Sequence, residues 1–138
     1  MRLKIKKAVP YSFVLEEMES LGVTSIMTRP MFGCLAVYTG EKIVLILREK
    51  EDYQQDNGVW LATIQDHHAS LKKDFPSMRS ISVFGPGVTG WQVLPADSPD
   101  FEEAVLKACS FIRREDPRIG KVPKPKRKPK LKRKPKRK

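Results

Sequence analysis

Cysteine is scarce. Cys34 and Cys109 are the only two in 138 residues, too few for a disulfide framework and without metal-ligand spacing. The expectation is two buried thiols in a reducing compartment. No run of 18 apolar residues occurs, so no membrane-spanning helix, and no membrane partner, is expected. The start MRLKIKKAVPYSF is basic, but neither a long apolar stretch nor a small-residue cleavage site follows, so a secretory signal is not expected. Histidine is limited to the adjacent His67 and His68, which on a helix would point about 100° apart and could not share a metal by helical spacing. There is no HExxH and no Walker loop; Gly85-Pro86-Gly87-Val88-Thr89-Gly90 lacks the following Lys-Ser/Thr and reads as a turn. No catalytic residue, metal site or cofactor is therefore expected. A nucleophilic Cys34–His pair would have to be brought together by folding.

Acidic residues are absent from one end. Residues 121–138 hold twelve Lys or Arg and no Asp or Glu, whereas residues 8–120 hold eleven basic against sixteen acidic side chains, a net of −5. The overall charge of +11 thus belongs to the tail, and the folded part is mildly acidic.

The remainder carries the periodicities of a small α+β domain. Leu3 and Ile5 alternate with Lys4 and Lys6 and weakly favour an edge strand. Tyr11, Val14, Leu15, Met18 and Leu21 form one helical stripe between Pro10 and Gly22. Val23–Met27 begins the first strand. Cys34–Tyr38 alternates, Thr39-Gly40 reads as a hairpin turn, and Lys42–Arg48 is apolar on both faces, as expected inside a sheet. Glu49–Gly58 reads as a long loop ending in an Asn57-Gly58 turn, followed by a strand over Val59–Ala62. Thr63 resembles an N-cap for a helix with Ile64, His68, Leu71 and Phe75 on its inner face. Strands are expected at Met78–Phe84 and Trp91–Leu94. The last helix has Ser98 as N-cap, Pro99 at N1 and a buried stripe of Phe101, Ala104, Val105, Ala108 and Ile112. Pro117 and Gly120 end the fold. The domain is placed at 1–118 and a disordered tail at 119–138.

Ser12–Tyr38, with Leu21-Gly22, Arg29 and Met31-Phe32-Gly33, resembles the start of the TfoX amino-terminal domain family, in which Met-Phe-Gly-Gly precedes a hairpin. Cys34 stands where that family has its second Gly. Gly90-Trp91 is similar to the Gly-Trp of YjbR-like proteins. The resemblance covers roughly residues 8–118. It implies a two-layer α+β domain, with one antiparallel sheet packed against about three helices, and a bacterial source. The named family member regulates competence for DNA uptake and has a second, carboxy-terminal domain that nothing here resembles. For Arg29, Met31, Phe32, Gly33 and Trp91 a structural role is expected: Met31-Phe32-Gly33 forms a bulge or bend seating both large side chains in one core with Leu45, Trp91, Val105 and Ile112. A ligand contact there is the alternative.

The tail KVPKPKRKPKLKRKPKRK repeats KRKPK six residues apart and offers only Val122 and Leu131 for burial. Such a segment stays disordered and extended. Lys121, Lys124, Lys126, Arg127, Lys128, Lys130, Lys132, Arg133, Lys134, Lys136, Arg137 and Lys138 are the candidate nucleic-acid contacts, neutralising phosphates without reading bases. The functional expectation is a non-enzymatic TfoX-like regulatory or accessory protein whose tail binds nucleic acid non-specifically. It would be cytoplasmic, at the nucleoid if the tail binds DNA. The alternative is an adaptor whose acidic domain binds a protein and whose tail aids solubility.

Overall fold

A strand that is apolar on both faces needs a neighbour on each edge and a cover on each side, and that requirement sets the architecture. The computed structural model describes residues 9–83 and 90–122. The expected amino-terminal edge strand, Phe84 and the glycine-rich turn after it, and the tail from Pro123 onward lie outside the described residues. Six strands form one antiparallel sheet: β1 (Ile26–Met31), β2 (Cys34–Thr39), β3 (Lys42–Arg48), β4 (Gly58–Leu61), β5 (Arg79–Ser80) and β6 (Gln92–Pro95). Their spatial order is β1-β2-β3-β4-β6-β5. Three helices complete the fold: α1 (Phe13–Ser20), α2 (His68–Asp74) and α3 (Phe101–Arg113). The α+β class with one antiparallel sheet agrees with the sequence reading.

The interior is divided by the sheet. On one face the stripes Val14/Met18 of α1 and Val105/Ala108/Ile112 of α3 pack with Leu71 and Phe75 against Val37, Val44, Leu45, Leu47, Val59, Leu61 and Leu94. On the other, Ala36, Tyr38, Ile43, Ile46, Trp60, Ala62 and Val93 form a second cluster capped by Ile81. Strict alternation along β3 fails because the β2–β3 register shifts, with Val37 opposite Leu45 and Tyr38 opposite Ile43. The extra residue of this bulge turns both Val44 and Leu45 toward the helices while Ile43 and Ile46 face the other side.

Three local expectations are corrected. Asn57-Gly58 is not a turn: Gly58 is the first residue of β4, opposite Pro95, and its φ of +141° and a backbone oxygen of Leu94 only 2.1 Å from any added Cβ require glycine. Thr63 does not cap α2; it is buried, and a turn of 3₁₀ helix at Gln65–His67 precedes α2, leaving Ile64 41% exposed instead of on the inner face. Asp100, not Ser98, occupies the N-cap position of α3. Ser98 and Ser77 instead donate hydrogen bonds to the Asp100 carboxylate, which holds its pKa below the ordinary value.

The loop from Glu49 to Asn57 is built around Arg48, whose side chain is 2% exposed. Its guanidinium donates to the Tyr53 and Asp52 carbonyls and to Asn57 Oδ1 at 2.8–2.9 Å. Asn57 then imitates a strand partner: its Oδ1 accepts from the Lys50 N–H and its Nδ2 donates to the Lys50 carbonyl. The neighbouring Asp56, fully buried, accepts from the Ser82 and Val83 amides at 2.8 and 2.7 Å and pairs with Arg79. Trp60 Nε1 donates to its carbonyl. One loop thereby fixes both the end of β3 and the chain after β5.

The single expected core also needs correction. Leu45, Val105 and Ile112 are buried beneath the helices, but Met31 and Trp91 are half-buried at the margin of the second cluster and Phe32 is 52% exposed. Met31 pairs with Cys34, so Phe32-Gly33 is a two-residue hairpin turn with φ of 57° and 74°, the signature of a type I′ turn, which projects its residues away from the sheet. Phe32→Asn should therefore leave stability unchanged or raise it by about 0.5 kcal/mol, since Asn accepts positive φ more readily. Arg48→Ala should cost about 2–4 kcal/mol through lost hydrogen bonds and a vacated interior. Denaturant midpoints at constant slope check both, and a loss of ~3 kcal/mol for the Phe32 variant would place that ring in a core after all.

Candidate functional site

β1 lies at one edge of the sheet, and its alternation decides what it displays. Met27, Arg29 and Met31 pair with Tyr38, Ala36 and Cys34, so all six lie on the face away from the helices. Met27 is 50% exposed. The Arg29 guanidinium lies 5.3 Å from the centre of the Tyr38 ring, a cation–π contact. Across the sheet, Trp91 leads into β6 and leans on Trp60 with ring centres 5.9 Å apart. The carboxy-terminal segment closes the third side: Lys121 and Ile43 exchange two backbone hydrogen bonds of 2.9 Å. These elements border an open groove of about 670 Å³ lined by Met27, Arg29, Met31, Tyr38, Trp91 and Lys121, with Glu41 the one carboxylate in its wall among the described residues.

The residues that carry the family resemblance are thus separated by the hairpin. Arg29, Met31 and Trp91 meet at the groove, whereas Phe32 and Gly33 sit at the hairpin tip, where the Lys50 ammonium lies 2.7 Å from the position a Gly33 Cβ would take. Cys34 lines a separate recess of about 550 Å³ with Val9, Pro30, Leu35 and Glu49, and no histidine lines it. Burial pushes the Cys34 thiol up, an effect that Arg48 and Lys50 reduce but do not cancel. Burial, with Glu17, pushes Cys109 up to about 12. His68 faces the Gly90 carbonyl at 3.4 Å. Among the described residues no group of three His, Cys, Asp or Glu side chains could hold a metal ion.

Of the basic tail residues only Lys121 is described; Lys124 to Lys138 lie outside. The chain remains attached further than the boundary at 118 read from the sequence. Ile119 is 1% exposed, the Gly120 N–H donates to the Ala62 carbonyl, and Lys121 bridges Ile43. Arg118 locks this exit. It chelates both Asp116 oxygens at 3.0 and 2.8 Å, donates to Asp74 at 3.0 Å, and lies over the Phe111 ring. Hydrogen bonding from Arg118 holds the Asp116 carboxyl down at about 2.

Met27, Tyr38 and Ile43 escaped the sequence reading as groove residues. A period of two over Met27, Arg29 and Met31 was available as a signal, but beginning the first strand at Val23 and treating Met31–Gly33 as a bend concealed it. The position of Lys121 depends on pairing across 78 residues and left no local signal.

No family model, curated protein or solved structure matches the chain. Among the described residues no helix is long and apolar enough to cross a membrane.

Two measurements follow from these environments. Thiol-directed reagents near neutral pH should label native Cys34 slowly and Cys109 only on unfolding, because only the thiolate reacts; rapid labelling of Cys34 would show an activated thiol. The carboxylate of Asp116 has a folded pKa below its unfolded value, so its contribution is full above about pH 4 and is lost as pH falls toward about 2. Asp116→Asn should remove that part of the acid dependence in pH-resolved melting, and an unchanged acid limb would exclude the clamp.

Proposed function

We propose that this protein is a non-enzymatic regulatory or accessory protein of the TfoX amino-terminal kind that holds nucleic acid non-specifically through its basic tail. One observation carries the reading. The tail's first cation, Lys121, is tied to β3 beside the exposed Arg29, so the twelve cations of residues 121–138 begin on the face away from the helices. The helices carry exposed Glu16, Glu19, Glu102 and Glu103 alongside exposed Lys72, Lys73, Lys107 and Arg113, so the strongest concentration of one charge is the tail itself. Clustered Lys and Arg release counterions from nucleic acid, giving affinity without base reading. The net charge of −5 over residues 8–120 favours a second reading, an adaptor whose mildly acidic domain binds a protein partner.

A salt titration separates the two. Binding of duplex DNA by the full chain should be independent of sequence. If about 6–10 phosphates are contacted, affinity should fall about 10³- to 10⁵-fold between ~50 and ~200 mM salt. A chain ending at Val122, which keeps the Lys121 pairing, should stay folded by circular dichroism and lose most of that binding. Equal affinity of the two chains, or a flat salt response, would remove the tail from the function and favour the adaptor.

A further inference from the structure

We propose that a pocket where α1 and α3 both end binds a small phosphate monoester, a site that makes no use of the tail. The pocket holds about 470 Å³, within the range of small-molecule sites. Three segments meet at it. Thr24 and Ser25 follow α1, Thr39 and Lys42 flank the β2–β3 turn, and Arg113 and Glu115 stand at the end of α3. The buried Val44, Ile112 and Ile119 also line it.

The lining gathers donors that the protein itself does not use. Arg113 is anchored through Nε, which donates to the Leu21 carbonyl at 2.8 Å, and its two terminal nitrogens meet no protein acceptor among the described residues. Lys42 is half-buried. Its aliphatic stem lies where a Gly120 side chain would stand, and no carboxylate pairs with its ammonium among the described residues. The Thr24 and Ser25 N–H groups donate to no carbonyl, and the hydroxyls of Thr24, Ser25 and Thr39 make no hydrogen bond to the described residues.

Two features oppose an anion here, the Glu115 carboxylate and the carbonyl ends of two helices. The two cations outnumber the one carboxylate, and Glu115 is paired with neither. Arg113 already meets the Leu21 carbonyl, and the Arg114 and Glu115 amides meet those of Ser110 and Ile112. The number of donors then selects among anions. A carboxylate offers two acceptor oxygens, whereas a phosphate monoester offers three and carries nearly twice the charge. The pocket is also larger than a phosphate group needs, which leaves room for the ester's carbon body.

The test follows the backbone amides of the full chain by nuclear magnetic resonance while glycerol 3-phosphate, inorganic phosphate or acetate is added. Residue-by-residue shifts separate this pocket from phosphate held by the tail. Glycerol 3-phosphate should shift Thr24, Ser25 and Gly40 saturably and more tightly than inorganic phosphate, and acetate should not. Lys42→Gln, which keeps the stem on Gly120, should weaken the ester at least about fivefold, the worth of one net hydrogen bond. Thr24→Asp, an added carboxylate at an exposed position, should weaken it independently. Shifts confined to residues 121–138, equal shifts with acetate, an ester no tighter than inorganic phosphate, or affinity unchanged in both variants would each overturn the proposal.

Discussion

The central pair of strands, β3 and β4, is apolar on both faces, and most of this structure is a response to that constraint. Leu45, Leu47, Val59 and Leu61 need cover on one side, Ile46 and Trp60 on the other, and all six are fully buried. Helices α1 and α3 supply the first cover over a broad area. The second comes from shorter pieces: Ile81 after β5, Val93 on β6, and the margin residues Met31, Cys34 and Trp91. The bulge between β2 and β3 adjusts the balance by assigning Val44 to the helical side. Among the described residues helices cover one face of the sheet and shorter segments the other, and the groove lies on that second face.

Buried polar groups link that face to the rest. Arg48 and Asp56 cost free energy to bury and are tolerated because their hydrogen-bonding groups are met by loop carbonyls, amides and Arg79. Their partners organise the loop after β3 and the chain leaving β5, so the outer cover is pinned by polar contacts where its apolar contacts are few. Arg118 does the same for the carboxy-terminal segment through Asp116 and Asp74. The tail's point of departure is therefore rigid up to Lys121.

Much of the fold was legible in the sequence. The stripes of α1 and α3, the two-faced apolarity of β3 and the strand character of Val59 and Val93 follow from local periodicity, since helix and strand expose side chains with periods of 3.6 and 2. The corrected elements all involve longer-range choices. Phe32 looked like a core residue because it is large and apolar, yet its neighbours Met31 and Cys34 pair across it. Asn57-Gly58 has the composition of a turn, but Arg48 and Lys50 claim the Asn side chain for the loop.

The sequence by itself determined the α+β class, the division between a mildly acidic domain and a cationic tail, and the lack of local metal or nucleotide motifs. Those properties reside in composition and short-range pattern. Tertiary structure alone decided that Arg29, Met31 and Trp91 meet while Phe32 and Gly33 stand apart, and that Lys121 joins the sheet next to them. The reason is physical: strand register and the β3–Lys121 bridge bring together residues as far apart as Arg29 and Lys121, and a one-residue change of register would send each side chain to the opposite face.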